Sequence, residues 1–377
     1  MAMEVLDRRA LNRATLARQL LLDRSAMGVP EAVEHLAGLQ AQTPHSWYVG
    51  LWTRLRDFTP AGASDLLADG RLVRVAAMRS TIHLMTGRDA LAVRPLVAVV
   101  GERMWATNFG RRLTNLDDLS SIVAEGCRIL AAEPLTFAEL GKRLAERWPG
   151  HDAAAMAQAV RVFETLIQVP PRGQWGRSGR ALHTTAAAWL PGLSAEPLTV
   201  AELLLRYLGS FGPATVRDMQ TWSGLTRLGE VVDGLRPRLV TFADDQGREL
   251  FDLPDAPRPG ADAPAPARFL YDFDNLLLSH ADRTRVVTPE YTGQPFDPNG
   301  PMPAVVLVDG TTAGVWRVGG TRQRAELVIA PLRRLTEREL DDVTAEGGRL
   351  LAFLHPKAAR TVRLVEGGWP ALLAATA

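Results

Sequence analysis

The spacing of apolar and polar positions in the first part of the chain predicts three helices followed by two strands. Apolar residues recur at helical intervals over 10–22, with Arg and Gln between them, and again over about 30–38. A short helix is predicted near 63–67. Residues 71–85 are β-branched and apolar in two short runs with a turn-like middle, which predicts two strands. This order of elements is typical of a winged helix.

The same order of elements is predicted twice more. In the second copy, the helix over 135–148 begins with Thr136 and Glu139, which are spaced as in a capping box. The other predicted elements are a helix at 153–166, two strands within 168–185, helices at 199–208 and 229–235, and strands at 239–243 and 249–253. Three helix-turn-helix units with wings, in tandem, indicate an α+β protein.

The pattern changes after the third copy. Residues 252–268 are rich in Pro, Ala and Asp and read as a linker. Beyond it, AVVLVDGTTAGVWRV predicts two strands joined by a turn at Asp309 and Gly310. With a helix at 336–344, this part is predicted to be a small β-barrel module. The predicted domains are winged helices over 1–115, 116–195 and 196–262 and a β-barrel module over 263–377.

Composition narrows the class of protein. The 377 residues are 46% hydrophobic and 23% charged, which is typical of a globular chain. The N-terminus has early charges of both signs, and no apolar run approaches the length of a membrane span, so we expect a cytoplasmic protein with no membrane association. Cys127 is the single cysteine, which excludes an intramolecular disulfide and a cysteine-ligated zinc cluster.

The basic residues are almost all arginines. The net charge is only +1, yet all but two of the 43 basic residues are Arg, the exceptions being Lys142 and Lys357. The planar guanidinium suits recognition of phosphates and base edges. We therefore expect nucleic acid to be bound through a local basic patch and not through a uniformly basic surface.

A pair of glutamines raises the question of a site. Gln40 and Gln42 flank one alanine where the second predicted helix ends, close to His45 and Trp47. Neither amide can ionise, so neither can be an ordinary acid or base. The pair is either a polar helix end on the surface or part of a site that works without proton transfer by its own side chains.

Six separated motifs resemble the AlkZ/YcaQ-type family of winged-helix DNA glycosylases. They are LQAQ at 39–42, MRSTIHLM at 78–85, PPRGQWG at 170–176, LGSFGPATVRDMQTWSGL at 208–225, LYDFDNLLLSHADRTRVV at 270–287 and VLVDGTTAGVWR at 306–317. The resemblance implies a C-shaped protein of three tandem winged helices on a C-terminal β-barrel. Gln40-Ala41-Gln42 places the chain in the AlkZ-like branch, whose signature is Gln-x-Gln, with both glutamines as catalytic residues.

The resemblance implies hydrolysis of the N-glycosidic bond of alkylated bases. An N7-alkylguanine is a cation that leaves as a neutral base, so holding water in position is a sufficient role for two amides. Family members often protect antibiotic producers from bulky guanine adducts or interstrand crosslinks made by their own product. Because neither lysine stands in a motif, a monofunctional enzyme is expected. The alternatives are a winged-helix transcriptional regulator and a non-catalytic resistance protein.

Other residues are candidates for the DNA or lesion surface. Arg79, Thr81 and His83 fall at alternate positions and are predicted to share one strand face, which either lines the cleft or leaves His83 bonded to a backbone carbonyl. His45 and Trp47 either contact the lesion or pack inside the protein. A basic and aromatic wing is predicted to contact DNA through Arg172, Gln174, Trp175, Arg177 and Arg180.

The remaining expectations concern partners. Arg283 and Arg285, near Asp282, either contact the DNA backbone or form internal ion pairs. The seven histidines show no metal-binding spacing, and no cofactor motif occurs, so neither is expected. The expected partner is double-stranded DNA that carries alkylated guanine, bound by a monomer. Which adduct is removed, and whether its base is flipped out, are left open.

Overall fold

The computed structural model describes residues 3–113, 118–297, 300, 302–321 and 323–376. Within these residues it contains fifteen α-helices and thirteen strands. The helices are α1 Arg8–Arg18, α2 Val29–His35, α3 Trp47–Arg54, α4 Pro60–Ala68, α5 Gly87–Asn108, α6 Leu119–Ala132, α7 Phe137–Arg147, α8 Ala153–Phe163, α9 Ala186–Trp189, α10 Val200–Phe211, α11 Val216–Ser223, α12 Gly229–Leu235, α13 Pro289–Thr292, α14 Glu337–Leu354 and α15 Gly368–Ala375.

The strands form three sheets. They are β1 Val5–Leu6, β2 Leu39–Gln40, β3 Leu72–Ala76, β4 Ile82–Thr86, β5 Leu166–Gln168, β6 His183–Thr185, β7 Val240–Asp244, β8 Glu249–Asp252, β9 Arg268–Leu270, β10 Val305–Val308, β11 Thr311–Gly320, β12 Arg324–Pro331 and β13 Ala359–Leu364. The strand orders are β2-β4-β3-β5-β6, β1-β7-β8 and β13-β12-β11-β10-β9.

The first sheet joins the first and second predicted units. Its strands are antiparallel, and β3 pairs with β5 through Arg74 opposite Gln168 and Val75 opposite Ile167. The helices and strands predicted up to residue 253 are confirmed within a few residues, including the capping box of Thr136 and Glu139 at the start of α7. Local pattern therefore determined these elements, while the pairing between units came from the tertiary fold.

The grouping into domains stays a prediction. The predicted boundary between residues 115 and 116 lies outside the described residues. The mixed α+β class is confirmed, since helices and strands alternate along the described chain. In the described chain, no helix is both long and apolar enough to cross a membrane.

The C-terminal sheet is open, so the predicted β-barrel is not found among the described residues. β9 and β13 lie at opposite edges, and β13 runs parallel to β12 because α14 carries the chain back across the sheet. That return extends one edge and does not close the sheet. The helix predicted at 336–344 is confirmed and continues to residue 354. The predicted turn at Asp309 and Gly310 is also confirmed, with φ of 49° and 80°.

Apart from its end residues Asp252 and Arg268, which belong to β8 and β9, the predicted linker has no helix or strand, yet it is anchored to α1. Arg13 donates through Nε to the Ala263 carbonyl at 2.6 Å, and Arg9 donates to the Ala261 carbonyl at 2.7 Å. Linker and first helix are thus held together by side-chain to backbone hydrogen bonds. The composition of the segment predicted its irregular backbone but not these contacts.

A buried ion pair ties α3 to the segment that follows β9. Arg54 and Asp274 are almost fully buried and share two hydrogen bonds of 2.8 and 2.9 Å. The remaining donors of Arg54 go to the carbonyls of Gly50 and Gln19. Breaking a buried pair leaves an uncompensated charge, so this contact is costly to lose.

We expect Asp274→Ala to lower the free energy of unfolding by about 3–5 kcal/mol, because Arg54 is left buried without its carboxylate. Urea unfolding measures the change. The matched control is Asp233→Ala, which removes an exposed pair with Arg236 and should cost less than about 1 kcal/mol. Equal losses in the two variants would contradict the role given to the buried pair.

Candidate active site

The segment that carries the two glutamines lies at the edge of the first sheet. β2 pairs antiparallel with β4, and Gln40 stands opposite His83. The pairing continues one residue further, since the Ala41 N–H donates to the Ile82 carbonyl at 2.7 Å. The Ala41 carbonyl in turn accepts from Arg74 at 2.7 Å. The residue between the glutamines is therefore fixed through both of its backbone groups.

Gln40 is nearly buried, with 4% of its surface exposed. Its Oε1 accepts a hydrogen bond of 2.7 Å from Nη2 of Arg79, and its backbone N–H donates to Oδ1 of Asn275 at 3.2 Å. Because a guanidinium can only donate, the oxygen of the Gln40 amide must face Arg79. The orientation of this amide is thereby determined by its partner.

Gln42 is exposed, and its amide is oriented in the same way. Its Oε1 accepts from the Ile82 backbone N–H at 3.3 Å. Neither amide nitrogen, of Gln40 or Gln42, bonds to another residue in the described part of the chain. Each oxygen keeps a second lone pair, so each amide can both donate to and accept from a small molecule. Two amides of fixed orientation, each with free hydrogen-bond donors and a free lone pair, therefore lie one residue apart.

Arg79 lies in a turn, which corrects the predicted strand face. Residues 78–80 form a short 3-10 turn, and Arg79 has a left-handed backbone with φ of 56°. The strand begins only at Ile82, so Arg79, Thr81 and His83 do not share one strand face. Arg79 also donates to the Trp222 carbonyl at the end of α11. Burial lowers its pKa to about 10, which leaves it charged near neutral pH.

Thr81 and His83 make internal hydrogen bonds. Thr81 donates through its hydroxyl to the Met78 carbonyl at 3.0 Å, and His83 Nδ1 lies 3.0 Å from the Thr81 carbonyl. His83 is fully buried; burial, and then the charge of Arg79, lower its pKa to about 3. His83 is therefore neutral at pH 7. Its contact with the Thr81 carbonyl matches the predicted alternative in which the ring bonds to a backbone carbonyl.

Asn275 is a site residue that the sequence reasoning missed. Its Nδ2 donates to the Gly38 carbonyl at 2.7 Å while its Oδ1 accepts from the Gln40 N–H. One buried amide thus holds the chain on both sides of Leu39. Asn275 belongs to the motif at 270–287, but nothing in its local spacing assigned it a partner 235 residues away.

His45 and Trp47 lie in different surroundings. Trp47 has no exposed surface; its Nε1 donates to the Pro44 carbonyl at 2.8 Å, and its ring stacks on Tyr48. His45 is half-buried beside the chain at 174–177. Burial lowers its pKa, and the backbone carbonyls of Arg177 and Gln174 act in the opposite direction. Trp47 is packed in the core, whereas His45 borders an open groove.

The basic and aromatic turn between β5 and β6 is partly internal. The Trp175 ring packs on Tyr48 and Phe353, with centroid distances of 4.9 and 5.3 Å. The backbone N–H of Trp175 donates to the Ser64 hydroxyl. Arg172 donates to the Gly179 carbonyl at 3.0 Å. Among the other arginines of this turn, Arg180 pairs with Glu139, and Arg177 is exposed beside Gln174.

The second basic pair is divided between the surface and the interior. Arg283 is exposed. Arg285 is buried and donates to the Pro213 carbonyl at 2.9 Å and to the Thr15 hydroxyl at 3.2 Å. Asp282 pairs with Arg248 at 2.7 Å. Of the two predicted contact residues here, only Arg283 presents its side chain to solvent.

A groove of about 690 Å³ opens beside the Gln-x-Gln segment. Its lining includes three large aromatic side chains, Trp175, Tyr271 and Trp316, together with His45. Asp272 also lines it and accepts from the Thr43 hydroxyl. No group of three or more His, Cys, Asp and Glu side chains suited to a metal ion occurs in the described ranges. The groove is large enough for a small organic group.

Comparison with known proteins defines the class. The model of the family described as DNA glycosylase AlkZ-like matches residues 33–353, which is most of the chain. The protein is therefore a DNA glycosylase, an enzyme of DNA repair. It belongs to the AlkZ-like family.

Two matches from Streptomyces sahachiroi, one by sequence and one by structure, illustrate the similarity. A relative described as an interstrand DNA cross-link repair glycosylase is 28% identical over 345 residues, which cover 84% of this chain and 88% of its own. The solved structure of the DNA glycosylase AlkZ superposes with a TM-score of 0.76 at 23% identity, over 96% of this chain and 100% of that one. The second match shows that the mixed α+β fold is shared.

The burial of neutral His83 leads to a prediction about the stability of the protein at acid pH. An unfolded histidine, with a pKa near 6.5, takes up a proton that folded His83, with a pKa of about 3, does not. The stability contribution is therefore present above pH 6.5 and is lost as the pH falls towards 3. The parent protein is expected to lose free energy of unfolding between pH 7 and pH 5. In His83→Gln this loss should be smaller by about 2 kcal/mol.

Urea unfolding of both proteins at the two pH values measures this difference. Gln246→Ala, in the exposed turn between β7 and β8, changes no ionisable group and is the control, so its pH dependence should match that of the parent protein. An unchanged pH dependence in His83→Gln would show that His83 is not held neutral in the fold.

Proposed function

We propose that this glycosylase hydrolyses the N-glycosidic bond of cationic N7-alkylguanine in double-stranded DNA. The observation that carries the proposal is the pair of oriented amides, Gln40 and Gln42, where an ionisable catalytic group would otherwise be expected. A substrate that already carries a positive charge leaves as a neutral base and needs no acid. The pair is therefore matched to a charged lesion and poorly matched to an intact base.

The chemistry requires water to reach C1′ as the glycosidic bond breaks. We assign Gln40 and Gln42 as the catalytic residues that hold this water, with the free lone pair of Oε1 accepting from it and Nε2 orienting it or the sugar. Arg79 and the Ile82 N–H keep the two oxygens in place. The two amides thus contribute position and not proton transfer.

We propose that the lesions are bulky adducts or interstrand crosslinks. The description of the Streptomyces sahachiroi relative as a cross-link repair glycosylase supports this substrate class. The groove beside His45 supports it as well, because its aromatic lining by Trp175, Tyr271 and Trp316 suits an apolar or planar substituent. A methyl group would leave most of the groove unfilled.

DNA contact is assigned to exposed basic side chains in the turn between β5 and β6 and in the segment that follows β9. Arg177 and Arg283 are open to solvent, while Arg180 is held only by an exposed pair with Glu139 that a phosphate can replace. With a net charge of +1, such contacts act locally. We propose that one monomer binds one duplex, and that three winged helices in a C-shaped arrangement hold it.

We propose that the reaction ends at an abasic site. A lyase step needs a lysine that is activated as a nucleophile, and the two lysines of the chain, Lys142 and Lys357, are both exposed on the surface. The setting that fits this activity is a bacterial cytoplasm, at the nucleoid during repair, in a cell exposed to its own genotoxic product. A transcriptional regulator is not favoured, because the matching family is described as DNA glycosylase AlkZ-like.

We expect Gln40→Ala and Gln42→Ala each to slow excision of an N7-alkylguanine on the order of 10²-fold, since each removes one contact to the attacking water. Single-turnover release is followed as strand scission after hot alkali, with no scission before alkali. Gln246→Ala, in the exposed turn between β7 and β8, is the matched control and should retain the full rate. Unchanged rates in both site variants would exclude the assigned role.

A further inference from the structure

The groove of about 690 Å³ beside the Gln-x-Gln segment is lined by one carboxylate and by no strongly basic side chain. The carboxylate belongs to Asp272, and the other titratable side chains in the described lining are His45, Tyr271 and His355. The chain has 43 arginines and lysines, yet none of them is among these lining residues. A groove without arginine or lysine is poorly suited to DNA phosphates, so we expect a ligand of different chemistry.

The Asp272 carboxylate is half-buried and lacks a counter-charge. It accepts a hydrogen bond from the Thr43 hydroxyl, and it pairs with no cationic side chain in the part of the chain that the structure describes. Burial lowers the pKa of His45, which keeps this ring of the lining neutral near pH 7. A carboxylate that has lost part of its hydration is stabilised by a nearby cation, so the groove is complementary to a positively charged ligand.

The backbone sends Asp272 and Asp274 to different surroundings. Phe273, between them, has a left-handed backbone with φ of 60°, a conformation that costs free energy in a residue with a branched environment at Cα. Asp274 is buried against Arg54, whereas Asp272 lines the groove. The strained turn thus leaves one of two neighbouring carboxylates unpaired at the groove. Such strain is typical of functional segments.

The position of this carboxylate relates it to the lesion. Its hydrogen-bond donor, Thr43, directly follows Gln42. In the same segment as Asp272, the side chain of Asn275 accepts from the backbone N–H of Gln40. The segment therefore lies alongside the two glutamines. A substituent that extends from a base held at the glutamines can enter the groove, whose volume accommodates an organic group.

We propose that the groove binds a protonated amine on the alkyl substituent of the lesion, and that Asp272 is the residue that recognises it. This inference rests on the proposed excision of bulky N7-alkylguanine and narrows its substrate class. An alkylammonium group donates hydrogen bonds to the carboxylate, while its methylene groups pack on Trp175, Tyr271 and Trp316. Aromatic walls also attract a cation. The preferred lesion then has a second positive charge, on its substituent.

The test uses two matched series of duplexes. In one series, N7 of a guanine bears an alkyl tail that ends in a primary amine. In the other, a methyl group replaces the ammonium group. The tails lengthen by one methylene group at a time, so that the length that reaches Asp272 is sampled. Fluorine at the 2′ position of the lesion nucleotide keeps the base in place while the dissociation constant is measured by fluorescence anisotropy.

At the best tail length, the parent protein is expected to bind the amine duplex about tenfold more tightly than its methyl partner. Asp272→Asn keeps an acceptor for the Thr43 hydroxyl and removes the charge, so the ratio of the two affinities should fall close to one. Asp245→Asn is the matched control, because it removes the same charge in the exposed turn between β7 and β8, outside the groove lining. This control should keep the tenfold ratio.

Single-turnover excision from the same duplexes without fluorine separates the two proposals. Excision of both lesions, with equal affinity for the amine and methyl duplexes at every length, would overturn the role of the groove alone. A tenfold preference that persists in Asp272→Asn would also overturn it. Absence of excision from both series would overturn the proposed function instead. If Asp272→Asn does not fold, the two affinities of the parent protein decide.

Discussion

The two hydrogen bonds of the Asn275 side chain determine where the Gln-x-Gln segment lies. β2 is only two residues long, and a strand that short has too few ladder bonds to hold its own position at a sheet edge. Asn275 supplies what the ladder lacks, by donating to the Gly38 carbonyl and accepting from the Gln40 N–H. The neighbouring Asp274 is anchored by the buried Arg54, so the clamp is rigid. The position of Gln40 therefore depends on a segment far along the chain.

Much of the secondary structure could be predicted from periodicity, since helices such as α7 bury one regular face, here Leu140, Gly141 and Leu144. The Asp309-Gly310 turn was readable as well, because few other residue pairs accept two left-handed conformations in succession. The pairing of strands from distant parts of the chain could not be predicted from the sequence. β1 is too short to show a period, and the open edge of the C-terminal sheet follows from the direction in which α14 returns the chain. Closure of a sheet is decided by tertiary packing, which local pattern does not contain.

The candidate site shows the same division. The family resemblance pointed to Gln40 and Gln42 as candidates, but the partners that orient the two amides come from a turn and a neighbouring strand. Arg79 was misplaced because alternation was extended through a residue whose φ is positive, and alternation applies only to extended backbone. Asn275 lies in the motif at 270–287, but the sequence alone assigned it no role. A buried polar residue acquires its meaning from the group it satisfies, and that group is identified only in the folded chain.

The central claim is that two amides suffice because the leaving base is already charged. The most direct measurement compares single-turnover excision from two duplexes that differ only in the lesion. One carries guanine with a bulky alkyl group on N7, and the other carries the same group on carbon 7 of 7-deazaguanine, a neutral isostere in which the ring position bears no positive charge. We predict release of the cationic base and no detectable release of the neutral one. Comparable rates on both duplexes would mean that the enzyme supplies an acid, and the account given for Gln40 and Gln42 would be wrong.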